Sequence, residues 1–166
     1  MAIVRNTTIV EDYLFDYDYT FKDRDDEDGY HHITFLRKNT SPDAAVIRIP
    51  KFRVHLICSD HGVYVKCTAL DFAVNEDESR RDAVMRYFNI INQHTKIACF
   101  FINPDNGEVS SSMYIDTLDA PLTEKRLNTV LMNVFAQFER YLAGAVMYSR
   151  GIDIDPFRLY EDCTNK

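Results

Sequence analysis

Two short acidic stretches carry the side chains best suited to chemistry: DRDDEDG (residues 23–29) crowds carboxylates ahead of a glycine, and NPDNGEV (residues 103–109) gathers Asn, Asp and Glu around another. A calcium loop of the EF-hand type wants oxygen ligands at its first, third and fifth positions, glycine at the sixth and a bidentate Glu at the twelfth. With Gly29 as the sixth position, Arg24 falls first and Phe35 twelfth, and neither is a ligand. DRDDEDG is therefore expected to be a solvated turn, and Asp25, Asp26 and Asp28 are not expected to hold an ion. In NPDNGEV, Asn106-Gly107 lies between two strand-like runs and supplies the positive backbone angle of a hairpin, with Pro104 and Asp105 adding turn chemistry. A bend accounts for the whole stretch.

The histidines are His31, His32, His55, His61 and His94. Neighbouring strand residues point to opposite faces, so His31 and His32 do not share one metal. No HxxxH or HExxH spacing occurs, and no metal or cofactor is expected. Among the cysteines, Cys58, Cys67, Cys99 and Cys163, no CxxC pair exists. The first three fall in strand-like segments and read as buried free thiols. A turn at His61-Gly62 would set residues 63–65 opposite Cys58, so a bond between Cys58 and Cys67 is not expected. Cys58 is the thiol with imidazoles near in sequence, but His55 lies an odd number of strand positions away, on the other face. Ser110-Ser111-Ser112 lacks the glycines of a nucleophile elbow, and neither GxGxxG nor a phosphate-cradling GK[ST] is present.

The elements that would position these residues are legible from composition and periodicity. A chain of 166 residues, 46% hydrophobic and 27% charged, fits one globular domain. Twenty-six acidic against nineteen basic side chains leave a net charge of −7, which repels phosphate backbones unless a local basic patch forms. The basic doublets Arg80-Arg81 and Lys125-Arg126 do not make one, so nucleic acid is not an expected partner. No apolar run suits a signal peptide or a membrane span, and a cytoplasmic location is expected.

Residues 7–16 suggest a short first helix, capped at Thr7 or Thr8; DYDYTF reads as a strand or the approach to one. Strands are predicted at 30–37, 44–49, 52–58 and 63–70, the last two joined by Ser59-Asp60-His61-Gly62. Val54, Leu56 and Cys58 alternate with Arg53, His55 and Ile57, as in an antiparallel sheet covered on one side. Asp77 or Ser79 caps a helix whose face carries Val84, Tyr87, Phe88 and Ile91, widened by Ala83 and Ile90. That arc is broader than one sheet contact needs, so these four residues belong either to the core or, as the candidate dimer or partner surface, to a contact with a second protein. KIACFFI and EVSSSMYID pair as a hairpin. Pro121 and Thr123 open the clearest helix, whose apolar stripe runs from Leu127 to Val146, and Gly151 ends it. The order is α-β-β-β-β-α-β-β-α: an α+β, two-layer sandwich with an antiparallel sheet packed by helices. Residues 1–150 form the domain, and 151–166 an irregular extension.

Residues 80–127, with Phe88 to Asn92 ending a helix, Phe100-Phe101 in an aromatic strand, Asp105 to Gly107 in an acidic turn, Val109 to Ile115 in a second strand and Leu122 to Leu127 entering the last helix, resemble the YbjN family of bacterial sensory-transduction regulators. The stretch DEDGYHHITF is similar to that family's first acidic hairpin. The resemblance implies the fold of type III secretion chaperones and a homodimer formed through the middle helix and sheet. It carries no catalytic residue. The long strand region at 30–70 and the tail beyond Gly151 depart from the family pattern.

The expected function is thus non-enzymatic: a chaperone-like or regulatory protein-binding module, dimeric, taking a protein partner or a second copy of itself. The alternative is a small enzyme or small-molecule-binding protein with a pocket between sheet and helices.

Overall fold

The computed structural model describes residues 2–74 and 77–165. Among them the order is α1 (Ala2–Asp16), β1 (Phe21–Asp25), β2 (His31–Lys38), α2 (Ala44–Ile47), β3 (Lys51–Cys58), β4 (Gly62–Ala73), α3 (Glu78–His94), β5 (Cys99–Ile102), β6 (Glu108–Asp116), α4 (Glu124–Ser149) and α5 (Pro156–Thr164). The strands make one antiparallel sheet in the order β1-β2-β3-β4-β6-β5. The expected α+β sandwich is present.

Alternation decides which side is covered. Ile33 and Phe35 of β2, Phe52, Val54, Leu56 and Cys58 of β3, and Val63, Val65 and Cys67 of β4 are all buried on one face. Period-two patterning permits only one such face, and the helices pack there. The layer between is filled by rings. Phe135 and Phe138 of α4 meet Phe52 at centroid distances of 5.8 and 5.1 Å, and Phe100 of β5 stacks on Phe138 at 5.9 Å and lies 5.3 Å from Phe88.

The β3–β4 register sets Cys58 opposite Val63 and Val54 opposite Cys67, and all four cysteines are free. As expected, no bond joins Cys58 to Cys67. The Asn106-Gly107 hairpin is also present, with Gly107 at φ +72° and closing backbone bonds between Asn103 and Glu108 and from Gly107 to Asn103.

Three predicted elements differ. The first helix runs Ala2–Asp16, so Thr7 and Thr8 lie within it rather than capping it. Residues 44–49 are not a strand but the helical turn α2, followed by Arg48 at φ 61°. Lys38 pairs directly with Lys51, so the ladder between β2 and β3 leaves no slot for a strand between them. The Asn39 side chain closes the connection, donating to the Ile49 carbonyl and accepting from the Ser41 N–H, while Ile47 and Ile49 turn into the core. The tail is ordered as α5 rather than irregular. Asp155 caps it, accepting from the Phe157 and Arg158 N–H groups, and Pro156 occupies its first turn, where a missing N–H costs nothing. Leu159 and Cys163 are buried, and Tyr160 stacks on Tyr141 of α4 at 5.7 Å.

Deleting residues 152–166 uncovers Tyr87 and Tyr141, and should destabilise the domain by about 2–5 kcal/mol through lost apolar burial and ring contacts. Urea unfolding of the full and shortened chains measures this; equal midpoints would show that α5 contributes nothing.

Candidate functional site

Val84, Tyr87, Phe88 and Ile91, the expected dimer or partner surface, are fully buried within the chain itself. The arc of α3 is broad because it meets three neighbours. Phe88 faces Phe100 of β5, and Tyr87 sits against Tyr141 and Tyr148 of α4 and donates to the Tyr141 carbonyl and Cys163 Sγ. These residues are core and leave no apolar face of α3 at the surface.

The uncovered face of the sheet carries a different set of side chains. Strand register collects side chains there that are scattered in sequence. One row across the strands reads Lys22, Thr34, His55, Lys66, Ser112, Cys99; the next reads Arg24, His32, Ile57, Tyr64, Tyr114; a third reads Leu36, Arg53, Thr68, Ser110, Phe101. Lys22, Arg24 and Arg53 are exposed, as are Leu36 and Tyr114, at 51% and 49%. Lys66 reaches over the Phe101 ring, 5.6 Å from its centroid. A chain of net charge −7 therefore gathers Lys22, Arg24, Arg53 and Lys66 on one sheet face, with Lys38 and Lys51 at its end. The two basic doublets visible in sequence contribute nothing to this patch; strand pairing assembles it. A cleft of about 610 Å³ opens at its edge, lined by Tyr19, Lys22, Thr34, Leu36 and Arg53 among others.

His32 and His55 stack on this face with ring centroids 5.2 Å apart and Nδ1 of His32 lying 3.0 Å from Nε2 of His55. His32 Nε2 is 2.8 Å from Asp26, whose other carboxylate oxygen accepts the N–H groups of Asp28 and Tyr30. The His32 bond, reinforced by those backbone donors, holds the Asp26 carboxyl below the usual range. Burial, then the charges of His32, Lys66, Arg24 and Arg53, push His55 below the usual imidazole range. Asp26 is thus committed to closing the β1–β2 turn; the expected turn holds for residues 26–29, whereas Asp23, Arg24 and Asp25 belong to β1.

On the opposite face, His31 pairs across the ladder with Asp25, its Nδ1 lying 2.7 Å from the carboxylate. Its Nε2 lies 3.3 Å from Glu11 of α1 and 3.8 Å from Asp23 of β1. His31 and His32 do point to opposite sides. Sequence reasoning missed this cluster because Glu11 reaches it from a separate helix, at no motif spacing.

His31 is the ladder partner of Cys58 across β2 and β3, but its ring nitrogens face Asp25, Glu11 and Asp23. Cys58 lies on the helix-covered face near the Thr7 hydroxyl, and burial raises its pKa to about 12. Burial raises Cys67 further. Cys99, expected to be buried, is exposed, because it starts an edge strand on the uncovered face. Among the described residues, no helix is long and apolar enough to cross a membrane. Comparison with protein-family models, with curated proteins and with solved structures finds no match to this chain.

Titration of the native chain with a colorimetric disulfide reagent at neutral pH should give one fast equivalent, from Cys99, and four after unfolding; a fast-reacting Cys58 would contradict the geometry. Folding disfavours the charged form of His55, so its contribution to stability is present above the ordinary imidazole pKa of about 6.5 and is lost as pH falls. Melting temperatures taken between neutral pH and pH 5 should fall less steeply in His55→Gln than in the parent chain.

Proposed function

We propose that this chain is a non-enzymatic protein-binding module whose uncovered sheet face holds an acidic, extended segment of a partner protein. The observation that carries this reading is the placement of Lys22, Arg24, Arg53 and Lys66 on the one broad face that no helix packs against, in a chain that is otherwise acidic. Lys22 and Lys66 stand three strands apart, about 14 Å, which is the span of four or five residues of extended chain. Tyr114 and Leu36 supply exposed apolar contact beside the charges. Burial of such rings against a partner gives affinity, while the cations give orientation and speed of encounter.

A short acidic segment suits the face better than a nucleic acid. Asp26, Glu27 and Asp28 at the β1–β2 turn, with Asp60 and Asp116, border its far end. A polyphosphate strand running along the cations would meet these carboxylates, whereas acidic side chains spaced on a peptide need not. The resemblance to YbjN regulators agrees with a binding role. The homodimer it implies would use the sheet, since the middle helix turns its apolar arc inward.

Charge reversal at Arg53 and Lys66 together tests the reading. Both positions point away from the core, so the variant should fold with stability within about 0.5 kcal/mol of the parent. It should lose the acidic proteins that the parent chain retains on a column, and that retention should weaken as salt shortens the Debye length. Capture of the same proteins by the reversed variant, or enrichment of single-stranded nucleic acid in their place, would refute the proposal.

A further inference from the structure

We infer that Glu11, Asp23 and His31 form a binding site for a divalent transition metal ion, with zinc as its reference ligand, clamping α1 to the β1–β2 hairpin. The argument starts from the tautomer. An ionised carboxylate can only accept, so the 2.7 Å contact with Asp25 places a proton on Nδ1 of His31. In the neutral ring the Nε2 lone pair then points inward. That atom is wholly enclosed and has no hydrogen-bond partner, yet Glu11 and Asp23 oxygens stand 3.3 and 3.8 Å from it. A bare lone pair facing two carboxylates is repulsive, so the cluster calls for positive charge, either a proton on Nε2 or a metal ion.

A proton on Nε2 fits this geometry poorly. Asp23 at 3.8 Å is beyond hydrogen-bond reach, and the 3.3 Å approach of Glu11 does not make a hydrogen bond either, so Nε2 is left with no acceptor. A metal ion needs no such acceptor: it lies along the lone pair while the other ligands flank that axis. Two ligands about 2.1 Å from a tetrahedral ion are separated by about 3.4 Å, and the two contact distances bracket that edge. All three ligand atoms fall within 4.8 Å of one another. Asp25, on the far ring nitrogen, supplies the carboxylate–histidine support that fixes a metal-binding imidazole in one tautomer. One imidazole with two carboxylates suits zinc and its borderline neighbours, manganese, cobalt and nickel, better than calcium, which prefers six or more oxygens. Three protein ligands leave a fourth position on the solvent side for water, where Glu11 and Asp23 are 37% and 53% exposed.

The test uses untagged chain freed of metal by chelation and titrated with zinc chloride in a calorimeter. One saturable equivalent with a raised melting temperature is expected. Glu11→Gln, Asp23→Asn and His31→Ala should each weaken binding about tenfold or more, while His55→Gln, on the other face, should leave it unchanged. Glu11→Gln keeps size and shape at a half-exposed position, so it decides the matter if His31→Ala fails to fold. No saturable binding of zinc, manganese, cobalt or nickel overturns the assignment. So does binding that survives Glu11→Gln and Asp23→Asn together, which would place the ion on other groups.

Discussion

The fully buried apolar side chains of β2, β3 and β4 all point to the same side of the sheet, and this segregation sets the terms for the rest of the molecule. All five helices must find room on that one face. α4 crosses its middle and becomes so enclosed that Ala143, Gly144, Ala145 and Val146 are all buried, which an ordinary surface helix would not allow. Gly144 is the point of closest approach. A Cβ there would lie 2.4 Å from the Tyr87 hydroxyl, so the ring of α3 packs flush against α4 only because that atom is missing. α5 then covers the outer side of the same tyrosine through Cys163. The aromatic layer and the tail helix are consequences of one crowded face.

Buried polar side chains fasten the loops to this core. Asn92, at the end of α3, donates to the Phe100 carbonyl and accepts from the Phe100 N–H, pinning β5 to the helix before it. Gln137 of α4 does the same for Ala98 and also donates to Thr95. Glu139 accepts from the N–H and hydroxyl of Thr40, holding the loop before α2, while Arg37 lies 4.0 Å from it with its guanidinium 4.4 Å above the Phe135 ring. Each side chain satisfies backbone groups that have no partner in a helix or a ladder, where a buried orphan costs about 1–3 kcal/mol. Asn92 therefore has a sufficient structural reason to be asparagine.

What was legible in sequence was whatever repeats or turns locally. Alternation revealed β3 and β4, the three-and-four spacing revealed α4, and Asn106-Gly107 revealed its hairpin. Residues 44–49 misled because β-branched side chains mark a strand only when a neighbouring strand has room for them, and the direct pairing of Lys38 with Lys51 removes that room. α5 could have been found: Asp155 followed by Pro156 is a helix start, obscured by the charge and short length of the tail. The sheet face and the His31 cluster were out of reach. Lys22, Arg53 and Lys66 become neighbours only through strand order and register, which sequence spacing does not encode.

Strand alternation also couples the two surfaces that remain after the core is filled. In the β1–β2 hairpin, Asp23, Asp25 and His31 face the helices while Arg24 and His32 face outward. Two adjacent histidines thus serve opposite sides of one thin ribbon. β1 is an edge strand of five residues, exposed along most of its length, and a two-stranded ribbon of that size is not stable by itself. Contacts on its inner side, from Glu11 and Asp25 to His31, therefore determine how steadily Arg24 and His32 are presented on its outer side. A cation held among those inner carboxylates would stiffen the basic face without touching anything that binds to it. On the outer side, Arg53 and Lys66 stand on inner strands and Lys22 and Arg24 on the edge strand, and strand pairing fixes the spacing among them.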